Sequence, residues 1–559
     1  MARVSPALHW ITILGAVLIL GQFVAEQNLA SAPPLFKVAT SEAGLPTGLS
    51  SESVRIFDFN DDDYPDAFFV DASGAPHALL NEAGIFREVP VAGLARLPHR
   101  GTVKFFRGLY GDDRIGALMI DSGLRPFWGD PVSKDGHIDY YSVLLDEGGL
   151  KFNQLDPGFF PEIGGNITDV HAFDYNQDGK LDLIITGLYT LHPLHDSDEG
   201  EGLHLFKGTG GTEGKYFVDV TKEERLYALP GISIGSHDAP IPSYHLSLCD
   251  IDGDGKLDIL VPGYGRRWNK LYLTGTGKFR NQAHALGYDG DPIGINDPKG
   301  NGNSYTAACA DADNDGKIDV FQGEITHKWA GPASDLSAVL WNQFPAPFLR
   351  DIDLPRPSAF NNQADQSSMW GDLDLDGLQD LAVADAAYPP ETHMLIWHQK
   401  SLRQMEDWTQ ELGEPFISPM GPVLFDFDLD GDLDLISAST SRRANPVEKF
   451  FVRLYRNQYV ETHPQRTRHW MEVVLRSQDS RVPLVPYGSK VRVHLPSGTT
   501  LLRELVDGYG ASSQGPETQH FGLGELPSDI SRLPVSITWT NGESVELLLP
   551  IDQLSRVVK

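Results

Sequence analysis

Residues 249–265 read CDIDGDGKLDILVPGYG, which puts Asp250, Asp252, Asp254 and Asp258 at positions 1, 3, 5 and 9 of a short loop that runs straight into an apolar strand. A hard cation such as Ca2+ takes six to eight oxygens at about 2.3–2.6 Å and tolerates irregular geometry. Alternate residues of a tight loop aim three short carboxylates at one point. Gly255 at position 6 permits the reversal, the position-7 carbonyl adds a backbone oxygen, and Asp258 closes the shell. Mg2+ suits such a loop less well, because it demands a near-octahedral shell and gives up water reluctantly.

The stretch recurs. Counterparts begin at Phe57 (FDFNDDDYPDAFFV), Phe173 (FDYNQDGKLDLIITG), Ala310 (ADADNDGKIDVFQG), Gly371 (GDLDLDGLQDLAVAD) and Phe425 (FDFDLDGDLDLISAS). The predicted calcium ligands are therefore Asp58, Asn60, Asp62 and Asp66; Asp174, Asn176, Asp178 and Asp182; the four of the opening loop; Asp311, Asp313, Asp315 and Asp319; Asp372, Asp374, Asp376 and Asp380; and Asp426, Asp428, Asp430 and Asp434. Up to six Ca2+ are expected. These are not EF-hands, since position 12 holds Phe69, Ile185, Val261, Gln322, Val383 and Ser437 in place of a bidentate Glu, and a strand follows where a helix would be needed.

The spacing between first aspartates is 116, 76, 61, 61 and 54 residues. The long first gap holds one more unit, VKFFRGLYGDDRIGALMID (103–121), which keeps the apolar frame and has lost the acids. Each unit carries an apolar strand before its loop, one after it, and a further pair, as in HALLNEAGIFREVPVAGL (77–94) and NKLYLTGTGKFRNQAHALG (269–287). Internal repetition of this length decides the fold. Four short strands repeated seven times predict an all-β, seven-bladed β-propeller. The last unit ends after FFVRLYRNQ (450–458) without an outer strand, and LFKVATSEAGL (35–45) is the segment expected to supply it, closing the ring without an open edge.

Composition agrees: 41% hydrophobic residues, with 56 Gly and 38 Pro, mark a folded chain of strands and turns. The balance of 45 basic against 77 acidic residues, a net charge of −32, excludes nucleic acid as a partner class. Cys249 and Cys309 lie one residue out of phase in consecutive units, so they are expected to point to opposite faces and to stay buried, unpaired thiols. At the N-terminus, Arg3 precedes an apolar run from Trp10 to Leu20, and Ala30, Ser31 and Ala32 follow, as in a secretory signal peptide. Pro33 directly after Ala32 keeps an uncleaved anchor open as the alternative, and membrane contact would come only through it. The chain is thus expected to be secreted or extracytoplasmic. It divides into residues 1–32 (signal or anchor), 33–462 (propeller) and 463–559, a small antiparallel β domain with turns at Pro496–Gly498 and Thr540–Gly542.

The aspartate loops resemble FG-GAP/VCBS repeats, which also build integrin α-subunit propellers. The C-terminal phrases HW, GSKVRVHLPSG, RELVDGYGASSQ, HFGLG and ITWTNGE stand in the order of the ASPIC/UnbV domain, and together the two resemble the cartilage acidic protein family. That resemblance implies an extracellular, calcium-binding, adhesive or matrix-associated protein, with glycans or other proteins as partners and no established enzymatic chemistry.

Residues three and five places before the first loop aspartate are more polar than a core face should be. Arg55 and Ser53, His171 and Asp169, and Ser247 and His245 occupy these places, with Thr306 and Ser367 in later units. They line either a polar axial pocket for a sugar or small anion, or a solvated channel. GSHDAPIPSYH (235–245) adds His237 beside Asp238 and His245. Arg55, Asp169, His171, His237 and His245 are the candidate ligand-binding residues. A lyase or hydrolase working at the axis, with Arg55, His171 and His245 as its groups, is the alternative to a recognition module. GTGGTEGK (208–215) lacks the phosphate-loop ending and reads as a hairpin turn.

Overall fold

The computed structural model describes residues 34–94, 102–121, 137–163, 167–188, 203–226, 237, 241–265, 267–275, 277–290, 302–326, 335–356, 363–386, 392–440, 451–463, 468–508 and 513–559. The N-terminal segment and Asp238 lie outside them. None of the helices of the described residues is long and apolar enough to cross a membrane.

Seven of the sheets formed by the described residues come from the repeats. In the strongest example, Asp365–Gly371 pairs with Asp380–Asp385 across the aspartate loop, and His393–Ser401 and Gln404–Asp407 follow outward. The degenerate unit forms a full sheet, Thr102–Arg107, Ile115–Asp121, His137–Asp146 and Gly149–Gln154. Its apolar frame survives where its acids do not, so burial and not the loop chemistry fixes the sheet. Successive sheets touch, the third and fourth through a shared apolar cluster, and the last touches the first. Phe36–Val38 pairs antiparallel with Arg453–Asn457, Phe36 opposite Asn457, so the N-terminal strand completes the last blade. This is a β-propeller.

Two expectations need correcting. In the fourth blade the segment 269–287 supplies one strand, Lys270–Tyr272, and then a short helix, Ala283–Leu286, in place of a second. Gly287, left-handed at φ 70°, ends that helix, with the Tyr288 N–H returning to the Ala283 carbonyl at 2.8 Å. Cys249 and Cys309 form a disulfide, with Cα atoms 6.4 Å apart. Neighbouring blades face each other with opposite sides of their sheets. A residue one place out of phase in the next blade therefore points back at its partner, and the phase shift that argued against pairing is what permits it.

The C-terminal segment folds into two sheets. In one, Arg468–Arg476 lies between Thr518–Glu525 and Leu554–Val558; the other runs Thr500–Glu504, Lys490–His494, Arg532–Thr538, Ser544–Pro550. The domain is antiparallel except where Leu554–Val558 joins Arg468–Arg476 in parallel, and its segment Ser513–Gln514 adds in parallel to Val54–Phe57 of the first blade. It shares one apolar core with the propeller: Met471, Val491 and Phe521 belong to the same buried cluster as Leu183 and Leu257.

Candidate functional site

All six aspartate loops fold alike. The position-6 N–H donates to the position-1 carboxylate in each: Asp63 to Asp58 (3.1 Å), Gly179 to Asp174 (2.8 Å), Gly255 to Asp250 (2.7 Å), Gly316 to Asp311 (3.1 Å), Gly377 to Asp372 (2.7 Å) and Gly431 to Asp426 (2.7 Å). The position-7 N–H donates to the position-5 carboxylate in the same six copies. Backbone at positions 4 and 6 is left-handed throughout. Asp63 takes this conformation where the first loop lacks Gly, and Leu375 and Leu429 take it at position 4, an uncommon place for a bulky side chain.

This winding gathers positions 1, 3 and 5. Asp250, Asp252 and Asp254, and likewise Asp311, Asp313 and Asp315, each offer an oxygen within 4.8 Å of the others. Position 9 is bonded to the protein as well. Its Oδ2 accepts the position-2 N–H, as from Leu373 to Asp380 (2.8 Å), and its Oδ1 accepts an N–H of the third strand, as from Asn457 to Asp434 (2.8 Å). The same pair of bonds recurs at Asp66, Asp182, Asp258 and Asp319. These aspartates staple each loop to the body of its blade.

The loops suit a divalent cation. Asp311 Oδ1, Asp374 Oδ1 and Asp428 Oδ1 are buried without a protein donor. Burial, then repulsion from Asp430, raises the Asp428 carboxyl to about 6; burial, then Asp374, does the same to Asp376. Burial takes Asp311 to about 7 against the opposing charge of Arg503. Crowded oxygen donors with open lone pairs are what Ca2+ satisfies. In the sixth blade His398, which the sequence reading passed over, joins Asp374 and Asp376; its Nδ1 is 3.0 Å from Asp380 Oδ1 and its ring stacks on Trp408.

The C-terminal domain lies across the loop face and touches every loop. Arg556 pairs with Asp61 (2.8 Å) and Asp63, Arg468 with Asp374 (2.7 Å), and Lys490 with Asp250. Gln177 donates to the Thr540 carbonyl (2.5 Å), His520 Nε2 lies 3.0 Å from the Gly431 carbonyl, and Arg503 acts on Asp311 electrostatically. Gly431 leaves no room for a Cβ beside the Trp470 ring.

The axial candidates come together, but in a sealed network. Arg55, His171 and His245 are 2%, 1% and 0% exposed. Asp169 is the hub: Lys104 Nζ lies 2.7 Å from Oδ1, and His171 Nε2 (2.9 Å) and His245 Nδ1 (2.5 Å) reach Oδ2. Burial works to raise the Asp169 carboxyl, yet Lys104, His171 and His245 outweigh it and hold it well below the usual carboxylate range. From the C-terminal domain, Asp507 reaches His171 Nδ1 (2.5 Å) and the Ala172 N–H (2.8 Å). The polar residues also lace blade to blade: Arg55 Nε donates to the Val103 carbonyl (2.6 Å), Lys104 Nζ to Val170 (2.7 Å) and Ser247 Oγ to Ala307 (2.5 Å). Lys104 and Asp507 escaped the sequence reading; Lys104 sits in an apolar strand of the unit without a loop, where a lone charge was the available signal. His237 stands apart, beside Asp289 and His284 and away from His245.

Residues 250–321 and 372–437 match the FG-GAP-like repeat model, and 485–558 match that of ASPIC and UnbV. The chain is 25% identical over 288 residues to cartilage acidic protein 1 of Mus musculus, covering 50% of this chain and 40% of that protein. It is 24% identical over 277 residues to the Homo sapiens protein, covering 48% and 37%. The match thus spans about two fifths of those relatives' length. Among solved structures, BBS1N in complex with ARL6DN is similar at a TM-score of 0.40 with 10% identity, covering 76% of this chain and 98% of that one. The six-bladed Aleuria aurantia lectin gives 0.32 with 10% identity, covering 65% and 96%. With both sequence elements in order along one closed ring and its cap, the chain carries FG-GAP-like repeats on a β-propeller and a C-terminal segment that matches ASPIC and UnbV.

Proposed function

We propose that this chain is a secreted, calcium-loaded recognition protein that engages extracellular glycans or proteins. The observation that carries the reading is the sixfold winding of carboxylates with donorless buried oxygens at Asp311, Asp374 and Asp428. Positions 1, 3 and 5 of each loop would hold the ion, and the ions would pin the inner hairpins and the face on which the C-terminal domain rests. The Cys249–Cys309 disulfide supports an oxidising compartment. With the loop face covered, the recognition surface falls at the other end of the axis. There Tyr244 stacks on buried Tyr305 at 4.5 Å and meets Tyr264 edge-on at 4.9 Å, and the partly exposed Tyr244 and Tyr264 are what a sugar ring or an apolar side chain would meet.

The second reading, a polysaccharide lyase or hydrolase at the axis, requires Arg55, His171 and His245 to meet a polymer. Their burial and their protein partners favour recognition instead. Metal analysis of undialysed protein should find calcium, and glycan-array binding should weaken in Tyr244→Ala with calcium content unchanged. Polysaccharide turnover that disappears in His171→Ala and His245→Ala would favour the enzyme.

A further inference from the structure

A cluster at the rim of the fourth blade has chemistry unlike that of the loops. His237, His284 and Asp289 each offer a ligand atom within 4.8 Å of the other two. Asp289 Oδ2 lies 3.0 Å from His237 Nδ1 and 2.8 Å from His284 Nδ1. Two imidazoles that only needed a hydrogen bond could divide the two carboxylate oxygens; here both converge on one. Bonds of about 2.0–2.2 Å from Zn2+ to nitrogen and oxygen at tetrahedral angles place adjacent ligand atoms roughly 3.4 Å apart, so a bound ion needs these atoms to spread by only about half an ångström.

The surroundings hold this arrangement in place. The helix Ala283–Leu286 and its left-handed Gly287 turn Asp289 back toward His284, and the Asn269 N–H anchors the Asp289 carbonyl at 3.2 Å. The His237 ring stacks on buried Trp268, with centroids 4.5 Å apart, and its carbonyl accepts from Asn281 Nδ2 (2.8 Å) and Lys270 Nζ. Asp289 is buried, whereas the His284 side chain is 67% exposed, so one side of the cluster opens to solvent.

We propose that His237, His284 and Asp289 form a binding site for a late divalent transition ion, Zn2+ or Cu2+, separate from the calcium loops. Two nitrogens and one carboxylate are a donor set for such ions and a poor one for Ca2+. Three protein ligands on an open rim leave coordination positions for water or for a donor from a bound partner.

The test uses the whole chain in millimolar calcium, which keeps the oxygen loops filled, titrated with Co2+ as a spectroscopic stand-in and then with Zn2+. One equivalent of Co2+ should give the visible absorption of a nitrogen-ligated ion, and Zn2+ should displace it. His284→Ala, an exposed position that leaves the core intact, and His237→Ala should each weaken binding at least tenfold with calcium content unchanged. Bound Cu2+ should show hyperfine coupling to two imidazole nitrogens. Absence of a nitrogen signature, or wild-type affinity in His284→Ala, would overturn the site.

Discussion

Asn342 Nδ2 donates to the carbonyl of Ile251, 2.8 Å away in the aspartate loop of the preceding blade. The same nitrogen reaches the Ile318 carbonyl (3.0 Å), and Asn342 Oδ1 accepts the Phe344 N–H (2.8 Å). The link repeats around the ring: Asn81 to Phe427, Gln399 to Ala312 and Asn457 to Leu373. Four of the six loops, those beginning at Asp250, Asp311, Asp372 and Asp426, are thereby tied to the next blade by a side chain at the end of its third strand. Asn342→Ala strands two buried backbone carbonyls, each worth about 1–3 kcal/mol when left unsatisfied, and the partly buried Phe344 N–H. Chemical denaturation should show a loss of about 2 kcal/mol or more, and Asn342→Asp should not restore it.

The ring itself was legible, because six aspartate loops at regular spacing and an orphan N-terminal strand leave little choice of architecture. The third-strand amide was also in the letters, as the Asn of HALLN, VLWN and LYRN, but its partner lies in another blade and strand periodicity does not report it. The disulfide was misread for a related reason: parity within one strand says which way Cys249 points, and only the ring says what stands opposite. The axial residues were picked out by their polarity. Asp507, which plugs them, comes from a different domain some 336 residues from His171, and no local pattern connects the two.

Positions 3 and 9 of the loops should respond differently to substitution. Asp252 has its partners within its own loop, while Asp434 accepts backbone N–H groups from Phe427 (3.2 Å) and Asn457 (2.8 Å) and is fully buried. Asp252→Asn should therefore cost bound calcium and little stability in chelator. Asp434→Ala should unfold the chain at lower denaturant even with calcium absent. Equal effects of the two in chelator would refute the staple role.

Reduction should be felt at the fourth and fifth blades. The Cys249–Cys309 bridge closes a sequence separation of 60 residues, for which the chain-entropy relation gives about 4 kcal/mol. Cys249→Ala with Cys309→Ala should lower the denaturation midpoint, and added thiol should change the wild type but not the double variant.

Calcium removal should do more. A site filled at a hundredfold excess over its dissociation constant contributes about 2.7 kcal/mol, and several such sites together reach the whole stability of an ordinary domain, about 5–15 kcal/mol. Excess chelator should lower the melting temperature steeply. An unchanged melting temperature would contradict the proposed ion sites.

The axial network sets the pH response. The charged and titratable groups facing one another there are Arg55, Lys104, Asp169, His171, His245 and Asp507. Asp169 is held low in the fold, so its stabilisation is present above its unfolded value of about 3.9 and is lost as the pH falls below it. Burial lowers His245 despite Asp169; the unfolded chain then takes up the proton first as the pH drops through about 6.5, and stability falls. For His171, burial also acts downward, but Asp507 and Asp169 outweigh it and raise the imidazole; its stabilisation is full below about 6.5 and fades as the pH rises through the higher folded value. Denaturation at a series of pH values with calcium saturating should separate the two histidines. The stability gap between wild type and His245→Gln should shrink on going from pH about 7 to 5, and that for His171→Gln should shrink toward the alkaline side. Parallel profiles for the two variants would mean that the imidazoles do not titrate as this network requires.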